Sequence, residues 1–128
     1  MITGKSAIQL PTNEQFMPDF AGLENLLNTN DTIAAVIVNS PNNPSGVYYP
    51  PAVIKRLAEI IGKHPRVAVI SDEVYRTIIY SDVDFEAEGG PSHGKDNETT
   101  WRGRHVSIAA YLPQQTFVVG GISKELSG

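Results

Sequence analysis

The chain has 128 residues and a formal net charge of −4, with 41% hydrophobic and 19% charged residues and no cysteine. This length allows at most one domain, which is long enough for a hydrophobic core. Nucleic acid and anionic membranes are poor candidate partners, because no basic stripe is present to neutralise phosphates. The absence of cysteine excludes disulfides, thiolate metal sites and thiol nucleophiles. With no membrane-length apolar run and no secretory h-region at the N-terminus, we expect a cytoplasmic protein.

The first part of the chain predicts a strand, a helix and a second strand. Residues 6–10 form a short apolar stretch that we interpret as a strand, followed by a proline-marked loop. Asp19 is placed to cap a helix, in which apolar residues recur at helical spacing from Phe20 to Leu27. Residues 33–38 are short in extent and rich in β-branched side chains, which predicts a fully buried strand.

The next part predicts a helix over residues 51–61, with Pro51 in its first turn, one apolar face and Gly62 as its end. A strand over residues 67–70 follows directly. Strand, helix and strand in this order form a βαβ unit, which implies parallel pairing and a right-handed crossover.

The last part begins with a mixed segment up to residue 80. A polar stretch from 81 to about 104 then predicts an exposed loop, followed by a short helix within residues 106–112 and a final strand over 115–119. The fold class is therefore α/β, with a partial, mostly parallel sheet and flanking helices.

Three polar motifs each follow one of the predicted strands. They are Asn-Ser-Pro-Asn-Asn-Pro-Ser-Gly at residues 39–46, Ser-Asp-Glu-Val-Tyr at 71–75 and Gly-Gly-Ile-Ser-Lys at 120–124. Open parallel sheets bind ligands at the carboxyl ends of their strands. We therefore expect an amide, a carboxylate, a phenol and an amine to converge on one crevice.

Two residues of the second motif are candidates for binding a cofactor ring. Asp72 follows apolar residues, where a carboxylate is partly desolvated and requires a cationic partner such as a protonated pyridine nitrogen. Tyr75 lies on the same side if the chain turns helical there, and its hydroxyl can hydrogen-bond a phenolate oxygen. The alternatives are a turn aspartate that caps the next segment and a core aromatic.

The first and third motifs supply the amide and the amine. Asn43 lies in a proline-rich loop closed by Gly46, which is stiff enough to aim one amide, and the Asn43–Pro44 bond is a candidate for the cis form. Lys124 follows a nearly uncharged segment, where a desolvated lysine can form a Schiff base. The alternatives are a purely structural turn and a solvated surface lysine.

Together the motifs resemble those of the class I/II aminotransferases, which are pyridoxal-phosphate (PLP) enzymes of fold type I. The pattern Asn-Pro-Thr/Ser-Gly, Asp-x-x-Tyr and Ser-Lys occurs in order, and the resemblance runs essentially from end to end. It implies that PLP is the cofactor and that Asn43 and Tyr75 bind its phenolic oxygen. It further implies that Asp72 binds the ring nitrogen and that Lys124 is the catalytic Schiff-base lysine, which moves the substrate's proton.

The sequence also departs from the family pattern. Many members place a phosphate-binding hydroxyl three residues before the lysine, where this chain has Gly121, so that Ser123 would partly replace it. The family's other phosphate and carboxylate contacts have no counterpart here. We therefore expect residues 1–128 to be an incomplete PLP-binding large domain, inactive alone, with exposed sheet edges and apolar surface.

The resemblance implies amino-group transfer between an amino acid and a 2-oxo acid, by a full-length protein that forms a homodimer. Three alternatives stay open: a PLP-dependent carbon–sulfur lyase of the same fold, a non-catalytic PLP-sensing regulatory module, and an inert fragment. His64, His93 and His105 are too scattered for a metal site and are interpreted as exposed loop residues. Glu73 is expected to face away from Asp72 and to be structural.

Overall fold

The structure is a computed structural model that describes residues 6–78 and 105–121. Its described elements are, in chain order, helix α1 (Phe20–Thr29), strand β1 (Ala35–Asn39), helix α2 (Pro51–Ile61), strand β2 (Ala68–Asp72), a short 3-10 helix (Ile108–Ala110) and strand β3 (Thr116–Val119). The strands form one parallel sheet in the order β1-β2-β3. The predicted α/β class and the parallel βαβ unit are confirmed.

Both helices have the ends that their sequences predict. The Asp19 side chain accepts a hydrogen bond of 3.0 Å from the backbone N–H of Gly22 and so caps α1. Helix α2 has Pro51 at its first turn, where the missing N–H costs no hydrogen bond, and it ends at Gly62. Neither described helix is long and apolar enough to cross a membrane.

The core lies between the helices and one face of the sheet. Helix α1 buries Leu23 and Leu27, and the sheet contributes Val38 and Val69. Helix α2 contributes the largest group, namely Ile54, Leu57, Ala58, Ile60 and Ile61. The two helices thus cover one apolar face of the sheet, and the described core lies in this layer.

The second face of the sheet is apolar and exposed. Successive strand residues point to opposite faces, and the face away from the core carries Ile37 and Phe117, which are 69% and 68% exposed. The prediction that residues 33–38 are fully buried is therefore wrong, because Val38 alone in β1 is buried. The expectation of exposed apolar sheet surface is confirmed for the described residues.

Residues 6–10 do not form the predicted strand. The segment is followed by an isolated antiparallel bridge between Thr12 and Pro18, which closes a loop holding Phe16 at a positive φ of 60°. A strand requires a neighbour that pairs with its backbone, and among the described residues none pairs with 6–10. The predicted polar loop, residues 81 to about 104, lies outside the described residues. The predicted short helix within 106–112 is the 3-10 helix.

We expect Ile61→Ala to lower the free energy of unfolding by about 2–5 kcal/mol, because Ile61 is fully buried and its truncation leaves a cavity. Ile37→Ala is the matched control: its side chain is 69% exposed, and the expected cost is below about 1 kcal/mol. Urea denaturation followed by circular dichroism measures both. Equal losses for the two variants would contradict the one-sided core.

Candidate active site

The site begins where β1 and β2 end. Asn39 and Asp72 are paired in the parallel register, and Asn39 Nδ2 donates a hydrogen bond of 2.7 Å to Asp72 Oδ2. The backbone N–H of Ser40 continues the ladder by donating to the Asp72 carbonyl at 3.3 Å. Asp72 is half-buried, so the residue remains partly accessible to solvent although the protein contacts its carboxylate.

The loop over residues 39–46 contains two cis proline bonds and is closed by backbone hydrogen bonds. The Ser40–Pro41 and Asn43–Pro44 bonds are both cis, which confirms the prediction for Asn43–Pro44. Asn42 closes the loop through its backbone, since its N–H donates to the Val47 carbonyl and its carbonyl accepts from Gly46 N–H, each at 2.9 Å. Gly46 has a φ of 70°, which a residue with a side chain rarely adopts.

The loop brings Asn43 to Tyr75. Asn43 Nδ2 donates a hydrogen bond of 2.9 Å to the Tyr75 hydroxyl. Tyr75 lies in a turn after β2, in which Arg76 N–H donates to the Glu73 carbonyl at 3.0 Å and Ile78 N–H to the Tyr75 carbonyl at 2.9 Å. The structure therefore brings two of the predicted site residues into direct contact, and the phenol is half-buried rather than enclosed in the core.

Of the third motif, residues 120–124, the structure describes only Gly120 and Gly121. Strand β3 ends at Val119, which pairs with Asp72 in the parallel register, and Gly120 and Gly121 follow it. Ser123 and Lys124 lie outside the described residues. The described part of the chain thus leaves the sheet beside Asp72.

A sequence profile of the family described as "Aminotransferase class I and II" matches residues 2–127. The chain belongs to this family. Its fold and its motif order agree with the resemblance found in the sequence, and membership in the family implies PLP as the cofactor.

Curated proteins that are similar to the chain are also named as aminotransferases. The chain is 31% identical over 123 residues to a probable aspartate/prephenate aminotransferase of Thermus aquaticus, covering 94% of this chain and 26% of the relative. It is 35% identical over 96 residues to an aspartate aminotransferase of Geobacillus stearothermophilus, covering 73% and 19%. The chain thus spans about a quarter or less of the length of these curated relatives.

Among solved structures, a double mutant of Thermus thermophilus aspartate aminotransferase has a TM-score of 0.66 and 27% identity, covering 91% of this chain and 25% of that one. The aromatic aminotransferase of Pyrococcus horikoshii has a TM-score of 0.67 and 28% identity, covering 94% and 28%. These similarities confirm the fold class.

One polar residue of this edge is not identified by sequence reasoning. Asn39 is the first residue of the 39–46 motif, yet only Asn43 stands out there, because the Asn-Pro-Ser-Gly pattern carries the resemblance. The available signal is that Asn39 directly follows the apolar run 33–38 and that Asp72 follows the apolar run 67–70 after Ser71, within one βαβ unit. Their pairing depends on the register between the strands, which neither segment specifies alone.

Glu73 lies on the other side of the strand end and is only 2% exposed. It accepts hydrogen bonds from Ser71 Oγ at 2.8 Å and from Ser107 Oγ, and His105 Nε2 lies 2.9 Å from Glu73 Oε2. Burial raises the pKa of the Glu73 carboxyl, but the contacts with His105, Ser107 and Ser71 together outweigh burial and hold the pKa below its ordinary value.

These contacts give Glu73 a structural role in the described residues. They join the segment before β3 to the end of β2, although the two lie 34 residues apart along the chain. The interpretation of His105 as an exposed loop residue is wrong, because its side chain is 12% exposed and pairs with this carboxylate. His93 lies outside the described residues.

The lowered pKa of Glu73 predicts a pH dependence of stability. Because the folded-state pKa lies below the unfolded value, the contribution is fully present above the ordinary carboxyl range and is lost as pH falls through the folded value. We expect Glu73→Gln to lower the free energy of unfolding at neutral pH by about 1–3 kcal/mol and to flatten its decrease in acid. Urea denaturation at a series of pH values measures this.

Glu59→Gln is the matched control for that experiment, because Glu59 is exposed on α2 and meets Arg56 only at the surface, at 3.4 Å. Its acid profile should match that of the unmodified chain. An unchanged acid profile in Glu73→Gln as well would show that the carboxylate does not stabilise the fold.

Proposed function

We propose that this chain forms the ring-binding edge of a PLP-dependent aminotransferase, which transfers an amino group between an amino acid and a 2-oxo acid. The observation that carries the proposal is the donor and acceptor set at the carboxyl ends of β1 and β2. A half-buried carboxylate, Asp72, lies at the same sheet edge as the hydrogen-bonded pair Asn43 and Tyr75.

This set fits the cofactor chemically. A carboxylate pairs with a protonated pyridine nitrogen, so Asp72 would hold the ring nitrogen and keep it positive. An amide N–H and a phenol O–H both donate to an anionic oxygen, so Asn43 and Tyr75 would hold the ring's phenolic oxygen. When bound, PLP supplies the electron sink for reactions at the α-carbon of an amino acid.

The remaining roles fall to residues outside the described part of the chain. Lys124 is the proposed catalytic base, which takes and returns a proton at its Nζ. Ser123 is the proposed contact to the cofactor's phosphate. Both assignments rest on the match of residues 120–124 to the family motif.

The proposed amino donor is aspartate. This choice is supported by the names of several relatives, which include aspartate and aspartate/prephenate aminotransferases. We also propose that residues 1–128 form an incomplete large domain of a cytoplasmic homodimer. The short span relative to the relatives and the exposed apolar sheet face support the incomplete domain.

Reduction of the PLP-treated chain with borohydride, followed by peptide mapping, tests the lysine assignment. We expect the label on Lys124, and we expect Lys124→Ala to abolish it. Lys55→Ala is the matched control, because Lys55 is an exposed lysine on α2 and its loss should leave the labelling unchanged. Label mainly on another lysine would overturn the assignment.

Fluorescence titration with PLP tests the phenol. We expect Tyr75→Phe to weaken PLP binding about two- to tenfold, because one neutral hydrogen bond contributes about 0.5–1.5 kcal/mol. Tyr111→Phe is the matched control, since Tyr111 is 41% exposed and directly follows the 3-10 helix. This variant should bind PLP with the affinity of the unmodified chain. The same affinity in both variants would exclude Tyr75 from the cofactor site.

A further inference from the structure

We propose that Asn39 is a positioning residue for Asp72, and that a hydrogen-bond relay sets the orientation of the Asn39 amide. The relay begins at Ser45 and runs through the side-chain amide of Asn42 to that of Asn39. The proposal rests on the proposed function, in which Asp72 pairs with the cofactor's ring nitrogen. Asn39 uses both ends of its amide: Nδ2 donates to Asp72 Oδ2 at 2.7 Å, and Oδ1 accepts from Asn42 Nδ2 at 2.8 Å.

The direction of this relay is fixed by a backbone group. The Ser45 N–H can only donate, and it lies 3.2 Å from Asn42 Oδ1, which also accepts from Ser45 Oγ at 2.6 Å. Asn42 must therefore turn its oxygen to Ser45 and its Nδ2 to Asn39. Asn39 in turn presents its oxygen to Asn42, which leaves its Nδ2 as the donor to Asp72.

The relay acts on the carboxylate of Asp72 in two ways. A hydrogen bond to a charged acceptor is stronger than a neutral one, so the contact from Asn39 restricts rotation of the carboxylate. The other oxygen, Oδ1, lies 3.4 Å from the backbone N–H of Val74. A carboxylate has about four lone-pair sites, so Asp72 keeps acceptor capacity for a ring nitrogen.

The relay also links the two ring contacts to one loop. Residues 39–46 hold Asp72 through Asn39 and hold Tyr75 through Asn43. The cross-strand pairing of Asn39 with Asp72 brings the amide within hydrogen-bond reach of the carboxylate. The loop therefore contacts both the carboxylate and the phenol and links their positions.

The test compares two probes on the full chain. One is PLP, and the other is a PLP analogue in which C–H replaces the ring nitrogen. We expect Asn39→Ala to weaken PLP binding about tenfold, the effect of losing one charge-assisted hydrogen bond. Binding of the analogue should change less than about twofold, because it has no nitrogen for Asp72 to meet. Asn25→Ala, an exposed site on α1, should leave both affinities unchanged.

A second variant and a double-mutant cycle complete the test. Asn42→Ala should also weaken the binding of PLP more than that of the analogue, but by a smaller factor. If circular dichroism shows that Asn39→Ala does not fold, Asn42→Ala provides the test. In an Asp72→Asn background, Asn39→Ala should weaken PLP binding no further. Equal losses for both probes, or additive losses in the cycle, would overturn the positioning role. If the unmodified chain bound neither probe, the proposed function would fall as well.

Discussion

The parallel register between β1 and β2 is the constraint on which the candidate site depends. It pairs Asn39 with Asp72 and directs both side chains away from the helices. Side chains alternate along a strand, so a slip of one residue would turn Asp72 toward the core and Ser71 away from it. That slip is unfavourable because Val69 and Ser71 are both buried on the helix side, where a carboxylate without hydrogen-bond partners is costly.

Two polar networks on opposite sides of the end of β2 follow from this alternation. On the helix side, Ser71 and Glu73 join the segment before β3 to the sheet, and the buried carboxylate is tolerated because it has several partners. On the other side, Asp72 contacts Asn39 and stays half-buried. The two adjacent acidic residues therefore differ in role: Glu73 holds two segments of the fold together, and Asp72 is accessible to a ligand.

Local signals predicted the helices well, and they predicted the relations between segments less well. Helix α2 begins and ends where Pro51 and Gly62 indicate, because these signals act within one turn of the helix. Apolar runs correctly identified three strands. Such a run does not show whether both faces of its strand are covered, so the prediction that residues 33–38 are fully buried was wrong. Residues 6–10 failed for the same reason, since a strand depends on its partner.

The same distinction applies to the candidate site. Asn43 and Tyr75 were predicted from motifs whose order carries the family resemblance, and the structure places them in contact. Asn39 and His105 were missed because their partners lie more than thirty residues away along the chain.

The functional groups of the described edge bear on the choice of cofactor and leave the choice of substrate to other residues. Its carboxylate, amide and phenol can complement a protonated ring nitrogen and an anionic ring oxygen, as the proposed function requires. The named relatives differ in substrate, from aspartate and prephenate to aromatic amino acids, while the fold is shared. Under the proposed function, one ring-binding edge would suit each of these substrates, because bound PLP supplies the electron sink. Under the proposed function, Asp72 and its neighbours would hold the cofactor, and side chains that contact the amino acid itself would select the substrate.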